Sequence, residues 1–182
     1  MRLEDEQYEE IKKTVISSFV EYDVRCIPVS AFEMATKMGL TIIPYSALND
    51  IKRAAALKFS EDGFSAESNN GEWTIYYNDS RKNYGRINQT IMHEIGHYVL
   101  GHIEGNELEE AEAKFFAKYA LAPPPLVHNV CENVAPECIM EVFNISFQAA
   151  TIAYKYYINW LKYGSKEYTD YEEKMLELFD VT

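Results

Sequence analysis

Five consecutive residues, His93-Glu94-Ile95-Gly96-His97, carry the chemistry this chain is equipped to do. They spell H-E-x-x-H within a stretch that reads as helix from about Tyr84 to Gly101. Residues four apart on a helix lie one above the other on the same face, so His93 and His97 can offer two imidazoles to one metal ion. Glu94 stands beside them, placed to take a proton from a metal-bound water. This is the working core of a zinc peptidase, with Zn2+ as the expected cofactor.

A catalytic zinc site needs a third protein ligand and a fourth position left for water. Gly101 and Gly105 break the chain after the histidine helix. Asn106 followed by Glu109 resembles an N-cap with its capping box, so a new helix starts at about Glu107. A link that short makes the two helices antiparallel neighbours. At roughly 1.5 Å per residue, His97 lies about one turn before the end of the first helix and Glu110 a similar distance into the second. Antiparallel packing sets them level, and Ala113 and Ala117 are small enough for a close approach. Glu109 is better used as the cap partner. Glu112 points roughly 160° away from Glu110, at about 100° per residue. The expected metal ligands are His93, His97 and Glu110, with Glu112 as the alternative to Glu110, and Glu94 as the catalytic base.

Two other histidines fall outside the expected ligand set. The extended pattern H-E-x-x-H-x-x-G-x-x-H would need Gly and His where Leu100 and Ile103 stand, so His102 reads as a helix-end residue facing the last carbonyls. His128 follows a proline run and reads as a surface loop residue. Together with a Tyr or a backbone amide it remains a candidate for stabilising an oxyanion.

Several elements must position these residues. Ile11, Val15 and Phe19 recur at helical spacing between about Glu4 and Tyr22. Pro28 suits the first turn of a second helix and Gly39 its end. Leu40 to Tyr45 reads as a strand and Ala47 to Leu57 as a short helix. Phe64–Glu67 and Glu72–Asn78 read as two strands joined by the turn Ser68-Asn69-Asn70-Gly71. After Asn83 the pattern is helical almost to the end. Pro123-Pro124-Pro125 stops one helix, Pro136 begins another to about Phe143, and Ser146 caps a long aromatic helix. Tyr168 to Phe179 forms the last. Strands first and helices after argue for an α+β fold. The expectation is one domain over 1–182, its core at about 28–125 and a helical region that meets substrate or partner at about 126–182. A small sheet of about three strands packs on the active-site helix.

The bulk properties exclude some functions. Lys and Arg total 17 against 29 Asp and Glu, a formal charge of -12, which repels nucleic acid phosphates and favours basic peptides or proteins. The 47% hydrophobic fraction is ample for a core. Cys26, Cys131 and Cys138 form no C-x-x-C pair and suggest reduced thiols. The acidic start Met1-Arg2-Leu3-Glu4-Asp5-Glu6 lacks an apolar leader core, and no apolar run approaches membrane-spanning length. The expected location is the cytoplasm.

Three segments together resemble the ImmA/IrrE family of bacterial and phage metallopeptidases. Arg86-Ile87-Asn88-Gln89-Thr90-Ile91-Met92-His93-Glu94-Ile95-Gly96-His97 follows the pattern R-x-x-x-T-x-x-H-E-x-G-H. Glu110-Ala111-Glu112-Ala113-Lys114-Phe115-Phe116-Ala117 follows E-x-E-A-N-x-F-A and runs on to Leu121-Ala122-Pro123. Phe143-Asn144-Ile145-Ser146-Phe147-Gln148-Ala149-Ala150 is similar to F-x-V-S-x-x-A-A. The resemblance covers roughly residues 28 to 155. It implies a gluzincin-like zincin core with zinc on His93, His97 and Glu110 and with Glu94 as base. It also implies an anti-repressor role, in which a helix-turn-helix (Xre-type) repressor is cleaved or disabled. Two positions depart from the pattern. Lys114 stands where Asn or Asp is usual, and lysine cannot accept a hydrogen bond from a metal-bound histidine. Gln89 stands where an aromatic is common.

Two rival readings follow from the same residues. One is a zincin-fold binding protein that neutralises a repressor by docking without cutting it. The other is a DNA-binding regulator built on the helices from Pro136 to Tyr157. That reading is poor, because Lys155 is the only basic residue on the second helix, before Trp160. Aromatic Tyr154, Tyr156, Tyr157 and Trp160 fit a core better than a base-stacking platform.

Overall fold

The computed structural model describes residues 2–81 and 83–181. Its first helix, α1 (Asp5–Glu21), buries Ile11, Val15 and Phe19, as their spacing demands. A capping box opens it, with the Gln7 Oε1 accepting from the Glu4 backbone N–H at 2.9 Å. The second helix, α2 (Ala31–Lys37), begins later than Pro28 suggests. Ser30 is the N-cap, its hydroxyl accepting from the Glu33 N–H, so Pro28 lies ahead of the helix.

Strand β1 (Thr41–Pro44) falls within its expected range. Helix α3 (Asp50–Phe59) is displaced from the expected Ala47–Leu57. The cause is Asn49, whose Oδ1 accepts from the Lys52 N–H at 2.9 Å and starts the helix there. Ala47 belongs instead to a short 3-10 turn.

The hairpin forms as expected from β2 (Gly63–Glu67) and β3 (Trp73–Tyr77). Gly71 closes the turn with φ of 79°, a conformation that glycine adopts freely. Strand β3 is central, with β1 parallel on one side and β2 antiparallel on the other. Strand β2 is therefore an edge.

Helix α4 (Tyr84–Val99) lies against this hairpin and packs most extensively on α5 (Glu107–Leu121). Ile91, Met92 and Ile95 of α4 are fully buried. The two helices meet closely at Gly96, where a Cβ would sit 3.2 Å from atoms of the buried Phe116 side chain. Strand β2 also packs on α4, at Thr90. A Cβ on Gly63 would come within 2.6 Å of Thr90 Cγ2 and 2.7 Å of the Tyr76 carbonyl oxygen.

Two polar ties hold α4 in place. Buried Asn88 accepts from the Ala31 N–H at 2.7 Å and donates to the Val29 carbonyl at 2.9 Å, locking α4 to the start of α2. Arg86 forms a two-pronged pair with Asp62 at 3.0 and 2.7 Å, binding the first turn of α4 to the start of the hairpin.

Beyond α5 the chain is helical among the described residues: α6 (Pro124–Val130), α7 (Pro136–Phe143), α8 (Phe147–Tyr163) and α9 (Asp170–Leu178). The proline run ends α5 but also starts α6. Proline suits a first turn, where the backbone N–H groups have no partner within the helix. His128 is thus on a helix and not in the loop expected for it. Ser146 caps α8 as expected, accepting from the Ala149 N–H at 3.1 Å. The architecture is α+β, a three-stranded mixed sheet set against a mostly helical remainder. Among the described residues, no helix is long and apolar enough to cross a membrane.

Candidate metal centre

Helix α4 presents His93 and His97 from successive turns, with their Nε2 atoms 3.2 Å apart. Glu110, on the first turn of α5, lies opposite. Its Oε1 is 3.3 Å from His97 Nε2 and its Oε2 is 3.6 Å from His93 Nε2. One ligand atom from each of the three residues falls within 4.8 Å of the others. These spacings suit a single small cation. Zinc held tetrahedrally at about 2.0–2.1 Å places its ligand atoms about 3.3–3.4 Å apart.

The electrostatics suit a cation too. Burial, reinforced by neighbouring His97, pushes the His93 imidazole down to about 4. Burial also lowers His97. Both rings are neutral at about pH 7, the form that binds metal. Burial works against ionising Glu110, yet the two imidazoles and Lys114 outweigh it and hold the carboxyl below its ordinary value. The Lys114 ammonium lies 3.3 Å from Glu110 Oε2. Neutral imidazoles and an ionised carboxylate form the expected donor set for zinc, so the residues fit the metal.

Glu94 shares the centre but faces the sheet. Its carboxylate is buried, and Ser65 on edge strand β2 donates to Oε2 at 2.6 Å. Burial raises Glu94 above its ordinary value, and the Ser65 hydrogen bond restrains that rise. The result is a carboxylate more basic than one in water, as a general base requires. The centre opens into a cleft of about 890 Å³ whose walls include Gly63, Phe64 and Ser65 of β2.

Residues 42–155 fit the family model of peptidase M78, the IrrE N-terminal-like domain, over more than half of the chain. The chain belongs to that family. The M78 match runs from β1 into α8 and so spans the sheet, α4 and α5. It makes this a zincin-like metallopeptidase domain, with the three ligand-type residues inside the matched stretch. No curated protein matches the chain.

Within this M78 domain the other expected residues are placed as follows. Glu112 does not reach the His93–His97–Glu110 cluster. It lies behind His97, with Oε2 3.1 Å from His102 Nε2. His102 is not turned to the helix-end carbonyls. Gly101, at φ of 68°, folds the chain back, and the His102 ring sits 2.9 Å from His97 between their Nδ1 atoms. Glu109 does not close a capping box on Asn106. Its carboxylate instead accepts from the N–H groups of Ile103, Glu104 and Gly105, shaping the loop between α4 and α5. His128 packs against Tyr157 and Trp160 of α8 and is not among the residues lining the cleft.

Sequence reasoning missed Ser65, since nothing local marks which strand residue will meet Glu94. His102 had a usable signal in Gly101, because a left-handed glycine after a helix returns the chain over its last turn.

Proposed function

We propose that this chain is a zinc endopeptidase that acts as an anti-repressor, in the cytoplasm, on a helix-turn-helix repressor of the Xre type. His93, His97 and Glu110 are the proposed ligands and Glu94 the general base. The observation that carries the catalytic part is the cluster of two neutral imidazoles and a carboxylate beside a buried, upward-shifted Glu94. When bound, zinc would polarise the scissile carbonyl and bring the pKa of a bound water from about 15.7 towards about 7. Glu94 accepts the proton of the attacking water and returns it to the leaving amine. Ser65 holds Glu94 in position through the whole cycle. An extended substrate adds to the free edge of β2, its backbone pairing with the strand that carries Ser65.

The choice of partner rests on the family resemblance and on the charge of -12. DNA-binding proteins are often basic, and an acidic chain can attract that same surface. The test mixes purified protein, zinc and a candidate repressor, and follows the fragments by mass spectrometry. Cleavage in the native protein and none in Glu94→Gln supports the reading. An uncut repressor with zinc present sinks the proteolytic role.

A second reading, docking without cleavage, is favoured by Lys114. Its ammonium on Glu110 Oε2 competes with a metal for one carboxylate oxygen. Operator release by Glu94→Gln, as strong as with native protein, would establish that reading.

A further inference from the structure

Behind the metal centre runs a hydrogen-bonded chain whose polarity can be worked out link by link. It begins at the Glu4 backbone N–H, which can only donate, and Gln7 Oε1 accepts it at 2.9 Å. That orients the Gln7 amide, so Gln7 Nε2 donates to Glu112 Oε1 at 3.1 Å. Glu112, as a carboxylate, only accepts, so His102 Nε2 must be the donor to Oε2 at 3.1 Å. The contact between the two Nδ1 atoms needs one donor and one acceptor, and with the His102 Nε2–H committed to Glu112 its Nδ1 takes the acceptor role, receiving the His97 Nδ1–H at 2.9 Å. His97 Nε2 is left with its lone pair exposed, 3.2 Å from His93 Nε2 and 3.3 Å from Glu110.

We infer that His102 and Glu112 are positioning residues: together they fix the tautomer and ring angle of His97 so that its Nε2 is presented to the metal. The inference rests on His97 being a metal ligand. It gives work to two residues that the direct ligand set leaves over. The His102 side chain is only 7% exposed and Glu112 20%, so solvent competes little for these bonds. The arrangement also supplies what Lys114 cannot, an acceptor for the outer N–H of a metal-bound imidazole. The line extends across three helices and the turn, from α1 through α5 and the residue after Gly101 into α4. It therefore assembles only when the α1–α5–α4 packing is complete.

Two measurements on the full-length protein test this. The first is 15N–1H long-range NMR of the histidine rings in metal-free protein. It should show His97 protonated at Nδ1 and bare at Nε2, and His102 protonated at Nε2. The opposite tautomer on His97 would overturn the inference whether or not zinc binds. The second is zinc affinity by competition with a chelating dye. His102→Leu should weaken binding by about 10–100-fold, the usual cost of losing such a partner. His102→Gln should recover most of that loss, since its amide can accept from His97 and donate to Glu112. Glu112→Leu should weaken binding as His102→Leu does, and serves if the latter fails to fold. Unchanged affinity in both leucine variants overturns the inference. A merely structural role would lower the metal-free melting temperature in all three variants and show no recovery of affinity with Gln. Native protein without zinc binding would count against the metal site itself, and the tautomers would still decide the chain behind it.

Discussion

Replacing Asn88 by Leu should weaken the fold more than its conservative volume suggests. Asn88 is 1% exposed, and its amide satisfies two backbone groups of buried neighbours, the Ala31 N–H and the Val29 carbonyl. Leucine fills similar space and leaves both unpaired. Each orphaned buried group costs about 1–3 kcal/mol, giving about 2–6 kcal/mol in all. The added apolar surface recovers of the order of 1 kcal/mol. The remaining loss is a large share of the roughly 5–15 kcal/mol that holds a typical domain together. In a chain of this size each kcal/mol moves the melting temperature by about 2–4 °C. The assay is urea unfolding followed by circular dichroism, with a thermal melt beside it. Asn88→Asp provides the second arm. It keeps the acceptor for Ala31 but turns an oxygen towards the Val29 carbonyl and buries a charge, so it should lose at least as much. A leucine variant within about 1 kcal/mol of native, or an aspartate variant equal to native, would refute the reasoning.

Three further outcomes are expected. Glu110→Gln should weaken zinc binding far more than Glu112→Gln, because Glu110 faces both imidazole Nε2 atoms while a glutamine at 112 can still accept from His102; equal losses in a zinc competition titration would show that the wrong face of α5 has been chosen. Gly63→Ala should destabilise by about 1–3 kcal/mol in urea unfolding, because its Cβ meets Thr90 and a strand carbonyl, and a neutral result would mean that β2 lifts from α4 freely. For Glu9, burial favours the neutral acid, but hydrogen bonds from Lys12 and Tyr171 outweigh it and hold the carboxyl below its ordinary value of 4.5. A depressed folded value gives stability that is present above the unfolded pKa and lost as pH falls through the folded one. Glu9→Gln should therefore be less stable than native near neutral pH, with the gap closing in acid; a gap that widens as pH falls would contradict the sign.

What the amino-acid order determined by itself is local. The i, i+4 spacing of His93 and His97 places them on one helical face whatever surrounds that helix. Asn106 can cap only the helix that begins after it, its Oδ1 taking the N–H groups of Leu108 and Glu109, and from that start the face carrying Glu110 follows by counting. The alternation across Trp73–Tyr77 and the turn at Ser68–Gly71 likewise define a hairpin between residues close in sequence. Where local signals competed, the stronger cap decided the boundary. Ser30 and Asn49 each offer an oxygen to the first free N–H groups of a helix, and Pro28 and Ala47 have none to offer. Partners far apart in sequence were illegible, because no periodicity relates them. Ser65 meets Glu94 across 29 residues, Asn88 meets Val29 across 59, and Gln7 meets Glu112 across 105. Each of these bonds exists only after apolar surfaces elsewhere have packed: Gly96 against Phe116, Gly63 against Thr90, and the Ile11–Val15–Phe19 stripe of α1 into the core. Burial then gives the polar groups caught between those surfaces no alternative partner in water, and that is what turns His102 inward onto His97 when a count along the helix would leave it at the end.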